Sequence, residues 1–365
     1  MTHFLKSLNK PLNILLVFLP IAFAAELLGG NPIIVFVTSA LAVVPLSGLL
    51  GDATEELAAR TGPKIGALIN ATLGNAAELI ITILAIRAGL IDLVRASIIG
   101  SIIGNLLLVA GASMVLGGLK HGTQKFSPAT AGLNATMLIV VAVVLAVPSL
   151  FAIAIEPNKT NVENLSLLTA GVIILIYVFS VIFTLTARKS DHSPMEREAA
   201  HTPQMSVPFA IGMLIASTLF IAIMSEFLVG AVEPMVKQIG ISELFVGIIL
   251  VPIIGNIAEH VVAIEVAQKN NMDLSMGIAV GSSLQIALLV APLLVFISLL
   301  FPPASHVTLE FTSFELIALL ASCFITASVS MDGRSNWLEG VLLIGLYVIL
   351  AIAFYYLPVV HTAAH

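Results

Sequence analysis

Long apolar runs alternate with short polar breaks along nearly the whole chain. A helix needs about 20 mainly apolar residues to cross a membrane, and eleven runs reach or approach that length. Glycine and proline mark several breaks, as in GGNP at 29–32 and TGP at 61–63. The predicted spans are 12–28, 32–50, 65–87, 95–117, 129–151, 165–187, 207–230, 243–267, 274–300, 313–331 and 337–357. The pattern predicts an all-α integral membrane protein with eleven transmembrane helices.

The composition excludes a soluble globular class. Of the 365 residues, 59% are hydrophobic and 10% are charged, against about 25% charged residues in soluble domains. The single cysteine, Cys323, lies in an apolar run, which excludes an internal disulfide and indicates a buried, unreactive thiol. The first apolar run continues to Leu28 without a clear cleavage site, so we expect it to remain as a span and not to be removed as a signal peptide.

Lys and Arg are unevenly distributed between the two sets of loops. If the N-terminus is cytoplasmic, eleven of the 15 basic residues lie in inside segments and four in outside segments. Cytoplasmic loops of membrane proteins carry the excess of basic residues. The distribution predicts a cytoplasmic N-terminus and, with eleven spans, a C-terminus outside. Short tails favour a prokaryotic plasma membrane, although a vacuolar membrane would have the same topology.

The chain contains an internal repeat with an offset of 181 residues. This offset places Asn75 on Asn256 and Glu78 on Glu259 without a gap, and it also pairs Gly, Asp and Ser residues further along. A five-span unit inserted twice in series has opposite topology in its two copies, as in the inverted repeats of many secondary transporters. The predicted organisation is an extra N-terminal helix at 1–30, a first repeat at 31–187, a cytoplasmic linker at 188–206 and a second, inverted repeat at 207–365.

Two glutamates lie in the middle of predicted spans, in the related sequences GNAAELI at 74–80 and GNIAEHV at 255–261. An ionised carboxylate at the bilayer centre costs at least about 2.5–3.5 kcal/mol on insertion scales, so Glu78 and Glu259 are expected to face the protein interior. An inverted repeat brings equivalent points together near the midplane. Since Lys and Arg are nearly absent from the spans, either protons or a bound cation must neutralise the pair.

Protons and a divalent cation compete for such a pair. Burial and a neighbouring like charge both favour protonated carboxyl groups, whereas a hard divalent cation holds both carboxylates ionised through oxygen ligands. The sequence therefore predicts a cation/proton antiporter in which the same two glutamates bind either the metal or protons.

Other residues of the two motifs could complete the site. Asn75 and Asn256 precede the glutamates by three residues and share their helical face. Gly74 and Gly255 permit local unwinding, which would free backbone carbonyls to act as ligands. The metal ligands are therefore predicted among Glu78, Glu259, Gly74, Gly255, Asn75 and Asn256.

Polar side chains in the next span of each half could support the site. They are Ser101, Asn105, Ser282 and Gln285, and His260 directly follows the second motif glutamate. Neutral oxygen donors suit Ca²⁺, and no His or Cys cluster in the sequence indicates a soft metal. A purely structural role is the alternative, because Ser, Asn and Gln often form hydrogen bonds between membrane helices.

Further acidic residues near the ends of two spans indicate access paths. Asp52, Glu55 and Glu56 lie at the predicted cytoplasmic end of span 2, and Glu226 lies toward the outer end of span 7. They could attract cations into two opposed vestibules, or they could be solvated helix ends. The remaining carboxylates near span ends are interpreted as helix-end charges, namely Glu26, Glu243, Glu265, Glu310, Glu315 and Glu339.

The two Gly-Asn-X-Ala-Glu motifs, the segment GDATEELAARTGPKIGALINATLGNAAELI at 51–80 and the paired Gly-Ser sequences resemble the Ca²⁺/H⁺ exchanger (CAX) family of the Ca²⁺/cation antiporter superfamily. The resemblance extends from span 2 to span 10. It implies coordination of Ca²⁺ by Glu78 and Glu259 with help from backbone carbonyls, and an added first span. It also implies roles around the site for Ser101, Ser282 and Gln285, and roles in the access paths for Glu55 and Glu226.

The resemblance further implies Ca²⁺ as the transported ion and H⁺ as the counter-ion, with no cofactor and no nucleic-acid partner. Family members have been seen as homo-oligomers, and many carry an acidic helix between the halves, whereas residues 188–206 are mixed in charge here. The predicted function is export of cytoplasmic Ca²⁺ in exchange for H⁺ by alternating access. The alternatives are an Na⁺/Ca²⁺ exchanger of the same superfamily, which would need additional Na⁺ sites, and a passive channel or membrane scaffold.

Overall fold

The computed structural model describes residues 11–357 apart from 62, 156–158 and 187–202. Within this part of the chain the protein is almost entirely helical and forms eleven helical segments, α1 to α11, in the order of the predicted spans. The prediction of an all-α fold with eleven such segments is confirmed. The predicted linker at 188–206 lies outside the described residues except for 203–206.

The segments follow one another through short connections. Their bounds are α1 Leu12–Leu27, α2 Pro32–Thr61, α3a Pro63–Leu73, α3b Ala76–Arg87, α4 Ile91–His121, α5 Pro128–Ile155, α6 Lys159–Thr186, α7 Val207–Ile239, α8 Glu243–Gln268, α9 Met272–Ser298, α10 Ser313–Ser330 and α11 Trp337–Tyr356. Two short strands, β1 Gln124–Lys125 and β2 Arg334–Ser335, pair antiparallel and join the loop after α4 to the loop after α10.

Nine of these segments are long and apolar enough to cross a membrane, counted over the described residues. The other two are α1, which is shorter, and α3, which is divided by a turn at 74–75. Burial separates inner from outer helices, because 83% of the apolar window of α4 is buried and only 17% of that of α6. Helix α4 therefore lies in the interior of the bundle, and α6 presents most of its side chains to the surrounding bilayer.

Helix α2 is longer than its predicted span. The prediction ended at residue 50, where the apolar run gives way to GDATEEL, but the helix continues to Thr61. The extension is rich in Ala, Glu, Leu and Arg, which are strong helix formers, so it stays helical after the apolar run has ended. Helix α2 packs extensively against α7, its equivalent in the second repeat.

Three inner helices contain a π-helical turn, at Gly104–Val109 in α4, Val246–Leu250 in α8 and Ile286–Val290 in α9. The turns in α4 and α9 occupy equivalent positions in the two repeats. The turn in α8 lies directly before Pro252, whose ring and missing N–H disfavour regular hydrogen bonding to the preceding turn. Such turns are frequent at functional sites, and each lies within a few residues of a polar residue of the predicted site.

Helices α4 and α8 approach each other closely at two glycines. A β-carbon on Gly100 would clash with the backbone of Ile248, and one on Gly247 would lie 2.5 Å from Ala96 Cβ. Only a residue without a side chain permits this approach. The contact joins the two repeats on the side of the molecule that leads to the loops at 88–90 and 240–242.

Several carboxylates interpreted as helix-end charges have that role. Glu315 exchanges hydrogen bonds with Thr312, and Glu339 exchanges them with Asn336, so that capping boxes begin α10 and α11. Glu265 lies near the end of α8 and forms an exposed ion pair with a lysine one turn further on. The interpretation of these three glutamates is confirmed.

Candidate ion-binding site

The two Gly-Asn-X-Ala-Glu motifs lie against each other inside the bundle. A β-carbon on Gly74 of the first motif would lie 3.4 Å from Oε1 of Glu259 in the second. A β-carbon on Gly255 would lie 3.1 Å from Cγ of Glu78. Each glutamate therefore packs on the glycine of the opposite motif, which brings both carboxylates to one place.

The first motif interrupts its helix. Leu73 ends α3a, Gly74 and Asn75 form a turn, and Ala76 begins α3b. Glu78 consequently lies in the first turn of α3b, where free backbone N–H groups and the positive end of the helix dipole face a carboxylate. The local unwinding predicted at Gly74 is confirmed.

The second motif does not interrupt its helix, so the unwinding predicted at Gly255 is wrong. The backbone is continuously α-helical over Val251–Gln268, and Glu259 lies in its middle. The irregular turn lies upstream at Val246–Leu250. Pro252 gives the physical reason, since it disturbs the turn before it, whereas an alanine stands at the equivalent position of the first repeat.

Neutral donors hold Glu78, which is 5% exposed. Ser101 Oγ donates a hydrogen bond to Oε1 of Glu78 over 2.8 Å, and Asn256 Nδ2 donates to the same oxygen. Asn256 Nδ2 also lies 3.3 Å from Ser101 Oγ and 3.1 Å from the carbonyl oxygen of Pro252. The other carboxylate oxygen of Glu78, Oε2, is buried and has no hydrogen-bond partner among the described residues. The lone pairs of that oxygen could therefore bind a proton or a cation.

The remaining supporting side chains form two hydrogen-bonded groups that cross between the repeats. Asn75 Nδ2 donates to Gln285 Oε1 over 2.8 Å. Asn105 Nδ2 donates to Ser282 Oγ over 3.1 Å, and Oδ1 of Asn105 lies 3.0 Å from Nε2 of His260. Because an amide oxygen only accepts, the His260 proton is on Nε2 in this arrangement. The supporting residues predicted from the sequence thus lie in one polar region, and their part in ion binding stays a prediction.

Glu226, predicted to lie on an outer access path, forms an ion pair with the side chain of an arginine. Its Oε1 forms a 3.1 Å ion pair with Nη2 of Arg87, and both side chains are at least half exposed. Arg87 is the last residue of α3b, the helix that carries Glu78. The pair therefore ties the end of that helix to α7, and the access role of Glu226 stays a prediction.

Glu56, predicted with its neighbours to line a cytoplasmic mouth, instead holds the backbone that precedes α7. It is buried and accepts hydrogen bonds of 2.9–3.0 Å from the backbone N–H groups of Gln204 and Met205, just before α7. A carboxylate that satisfies backbone donors in this way does not face a vestibule. Asp52 is partly exposed and Glu55 is exposed, so the predicted access role remains with these two residues.

Two contacts at the site were not predicted from the sequence. Thr82 Oγ1 donates to the carbonyl oxygen of Glu78 over 2.6 Å, and its position four residues after the glutamate is the signal that could have identified it. The ion pair of Arg87 with Glu226 is the other, and nothing in the local sequence of Arg87 indicates Glu226 as its partner.

The chemistry of the site follows from its small number of charges. Among the described residues, no group of three or more His, Cys, Asp or Glu side chains is placed to hold a metal. Since Ca²⁺ takes 6–8 oxygen ligands, two glutamates would need help from amide, hydroxyl and backbone oxygens nearby. A low ligand charge weakens binding, which suits an ion that is picked up and released.

The chain is similar to a known protein family and to several known antiporters. The family model described as sodium/calcium exchanger protein matches residues 31–186 and 209–356. A Ca²⁺/H⁺ antiporter from Synechocystis sp. is 42% identical over 96% of this chain and 98% of that protein. The Ca²⁺/H⁺ antiporter ChaA of Bacillus subtilis is 40% identical over 93% of this chain and 96% of that protein. The solved structure of native YfkE has a TM-score of 0.83 and 38% sequence identity, and it covers 95% of this chain and 100% of that chain.

Proposed function

The chain belongs to the sodium/calcium exchanger protein family, and we propose that it exports Ca²⁺ from the cytoplasm in exchange for H⁺. It is a multi-pass membrane protein and a secondary transporter. Relatives named as Ca²⁺/H⁺ antiporters align with nearly its whole length and are at least 40% identical to it. This agreement over both repeats supports Ca²⁺ and H⁺ as the exchanged ions.

One observation carries the proposal for the site. Glu78 is buried, receives hydrogen bonds only from neutral donors in the described residues, and keeps Oε2 without a donor. It also lies across from the Glu259 motif. A carboxylate in that setting needs a proton or a cation to offset its charge.

Competition for the two glutamates couples the fluxes. Ca²⁺ binds when both carboxylates are ionised, with Asn75, Asn256 and backbone oxygens near the turn at Gly74 as candidate further ligands. Protons that neutralise the carboxylates remove the charge that holds the ion. Neither ion crosses the site without excluding the other, which is the requirement for exchange.

The proposed path follows the inverted organisation. The first repeat at 31–187 and the second at 207–365 have opposite topology, with the extra helix at 1–30 placed before them. The N-terminus is cytoplasmic and the C-terminus outside, as the distribution of basic residues favours, and the membrane is a prokaryotic plasma membrane. Ca²⁺ enters past Asp52 and Glu55, and protons enter past Glu226. No cofactor is required.

The test is transport in inverted membrane vesicles under a pH gradient, without Na⁺. We expect Ca²⁺ uptake that collapses with the gradient and is abolished in Glu78→Gln and in Glu259→Gln, because a neutral amide cannot exchange protons for the ion. Glu265→Gln is the matched control, since this exposed glutamate of α8 forms a surface pair. Uptake that requires Na⁺, or that survives Glu78→Gln, would show that another mechanism operates.

The proton competition has a separate signature. As the pH on the Ca²⁺-loading side falls, the apparent KM for Ca²⁺ should rise while the maximal rate changes less, because protons occupy the same carboxylates. A passive channel would instead conduct Ca²⁺ down its own gradient with no dependence on the pH difference.

A further inference from the structure

An apolar groove runs along the first part of α7, between α1 and α2. Its volume is about 470 Å³, within the ~300–1,000 Å³ range of small-molecule sites. Gly212 has no atom within 4 Å of the position that its β-carbon would take, so the groove is open above this residue. Its walls include Leu16, Leu46, Leu49, Gly212, Ala216 and Phe220.

The lining is suited to hydrocarbon and not to water. Among its described residues Ser217 is the one with a polar side chain, and it is buried. A water molecule needs 2–4 polar partners to be held in a cavity. An unfilled apolar groove, in turn, loses dispersion contacts along its walls. A flexible apolar chain is the ligand that matches this surface.

The groove has the length of one leaflet of a bilayer. Along α7 it extends from Pro208 to Phe220, which is about 18 Å at 1.5 Å per residue. The hydrocarbon core of a bilayer is about 30 Å thick, so one leaflet occupies about half of that. The groove therefore extends from near the membrane surface at the start of α7 to about the midplane at Phe220.

A basic residue lies at the surface end of the groove. Arg60 is exposed near the end of α2 and donates a hydrogen bond to the carbonyl oxygen of Met205. Met205 packs onto the cluster of Leu49 and Met213, which also line the groove. The neighbouring Glu56 is buried and accepts hydrogen bonds from the backbone, so it does not face a ligand there. A guanidinium in this position complements a phosphate.

We propose that this groove binds one acyl chain of a phospholipid from the adjacent leaflet, with an anionic head group at Arg60. The lipid would fill the space between α1 and the packed pair of α2 and α7. Packing of α1 against the repeats would then depend on a bound lipid as well as on direct side-chain contacts. The proposal is independent of the transported ion.

The N-terminal residues and a second copy of the chain are the two other occupants of the groove that an experiment must distinguish from a lipid. Residues 1–10, outside the described part, contain Phe4 and Leu5 and precede α1 directly. A second copy of the chain could also cover the groove. The segment 187–202 is too polar for these walls. The exposed Arg60 at one end of the groove, and a groove length that matches one leaflet, favour the lipid.

The test is native mass spectrometry of the full chain released from mild detergent, followed by addition of phosphatidylglycerol or phosphatidylethanolamine. We expect the wild type to retain one phospholipid per chain. Gly212→Phe should weaken retention by at least about tenfold, equivalent to about 1.4 kcal/mol, because the ring fills the groove. Ala216→Leu should give a smaller loss, and transport activity would show that both variants fold.

Matched controls lie on the same helix and among the basic residues. Gly230→Phe places the same ring at another open position of α7, outside the groove, and should leave retention unchanged. Arg60→Gln should reduce the preference for phosphatidylglycerol, whereas Lys120→Gln should not. Equal losses in Gly212→Phe and Gly230→Phe would overturn the proposal. So would a wild type that binds neither lipid, or one that binds lipid only after removal of residues 2–9 or after dissociation of a dimer.

Discussion

The motif at 74–78 and the motif at 255–259 have nearly the same sequence but different structures. In the first, a turn divides the helix and Glu78 begins a new one; in the second, the helix continues and Glu259 lies in its middle. Glu78 is buried, whereas Glu259 is only partly so. The two carboxylates are therefore related by sequence but are not equivalent in electrostatic setting.

Their equivalent neighbours also differ. Asn256 crosses the interface to Glu78, whereas its counterpart Asn75 donates to Gln285. Ser101 donates to Glu78, whereas its counterpart Ser282 accepts from Asn105. Among the described contacts, equivalent side chains of the two repeats therefore donate to or accept from different partners. Substitutions at equivalent positions should therefore have unequal effects.

The largest expected difference is between Gly74→Ala and Gly255→Ala. A methyl group at 74 would lie 2.6 Å from the carbonyl oxygen of Asn70 and close to Glu259, so the backbone must shift. At 255 it would meet Cγ of a side chain at 3.1 Å, which can move. We expect Ca²⁺ uptake to fall about 100-fold in the first variant and about fivefold in the second. Equal losses would show that the helix break is not needed for transport.

Next is the pair Asn256→Ala and Asn75→Ala. Loss of a hydrogen bond to a charged group costs about 1.5–3 kcal/mol, so Asn256→Ala should raise the apparent KM for Ca²⁺ by about 10–100-fold. Asn75→Ala removes the hydrogen bond to Gln285, a pair of neutral groups whose loss contributes about 0.5–1.5 kcal/mol to the effect. Initial uptake rates over a range of Ca²⁺ concentrations would measure both, with the amount of folded protein as the control.

The two equivalent serines, Ser101 and Ser282, should differ less in their effect on Ca²⁺ binding. Ser101→Ala removes a donor from Glu78 and should weaken Ca²⁺ binding by about tenfold. Ser282→Ala removes an acceptor from Asn105, and the effect on the same measurement should be about threefold or less. If Ser282→Ala is the more damaging variant, Glu259 and not Glu78 depends on its serine during the rate-limiting part of the cycle.

A small effect is also expected for Arg87→Gln. Exposed ion pairs contribute about 0.2–1 kcal/mol, so loss of the pair with Glu226 should change uptake by less than about fivefold. Lys237→Gln, which removes an exposed pair with Glu233 on the same helix, is the control. A much larger loss for Arg87→Gln alone would show that the end of the Glu78 helix must stay tied to α7.

Much of the site could be predicted because its signals are local or periodic. Carboxylates inside long apolar runs are rare and expensive, so Glu78 and Glu259 stand out by themselves. The 181-residue offset then indicates that they belong to one site. Ser101, Asn105, Ser282 and Gln285 followed from their place in the next span of each half, and His260 from its position after Glu259. The structure joins these side chains by hydrogen bonds to the motifs or to each other.

Predictions failed where a partner distant in sequence decides the outcome. Glu56 resembles a solvated mouth residue, but its carboxylate meets the backbone 148 residues further along the chain. The ion pair of Glu226 with Arg87 was likewise not predicted, although the access role of Glu226 stays a prediction. Neither partner leaves a trace in the local sequence, because side chain to backbone bonds and single ion pairs impose no periodic pattern.

The number and type of the helices, the duplicated architecture and the identity of the two membrane carboxylates all follow from the amino-acid sequence. These depend on hydrophobic length and composition, which act along the chain. The packing of the repeats is needed to explain why the helix breaks at Gly74 and not at Gly255, and why Glu78 accepts a hydrogen bond from the asparagine of the opposite motif. Those features depend on how the repeats pack, because glycine permits several backbone conformations and neighbouring groups select one of them.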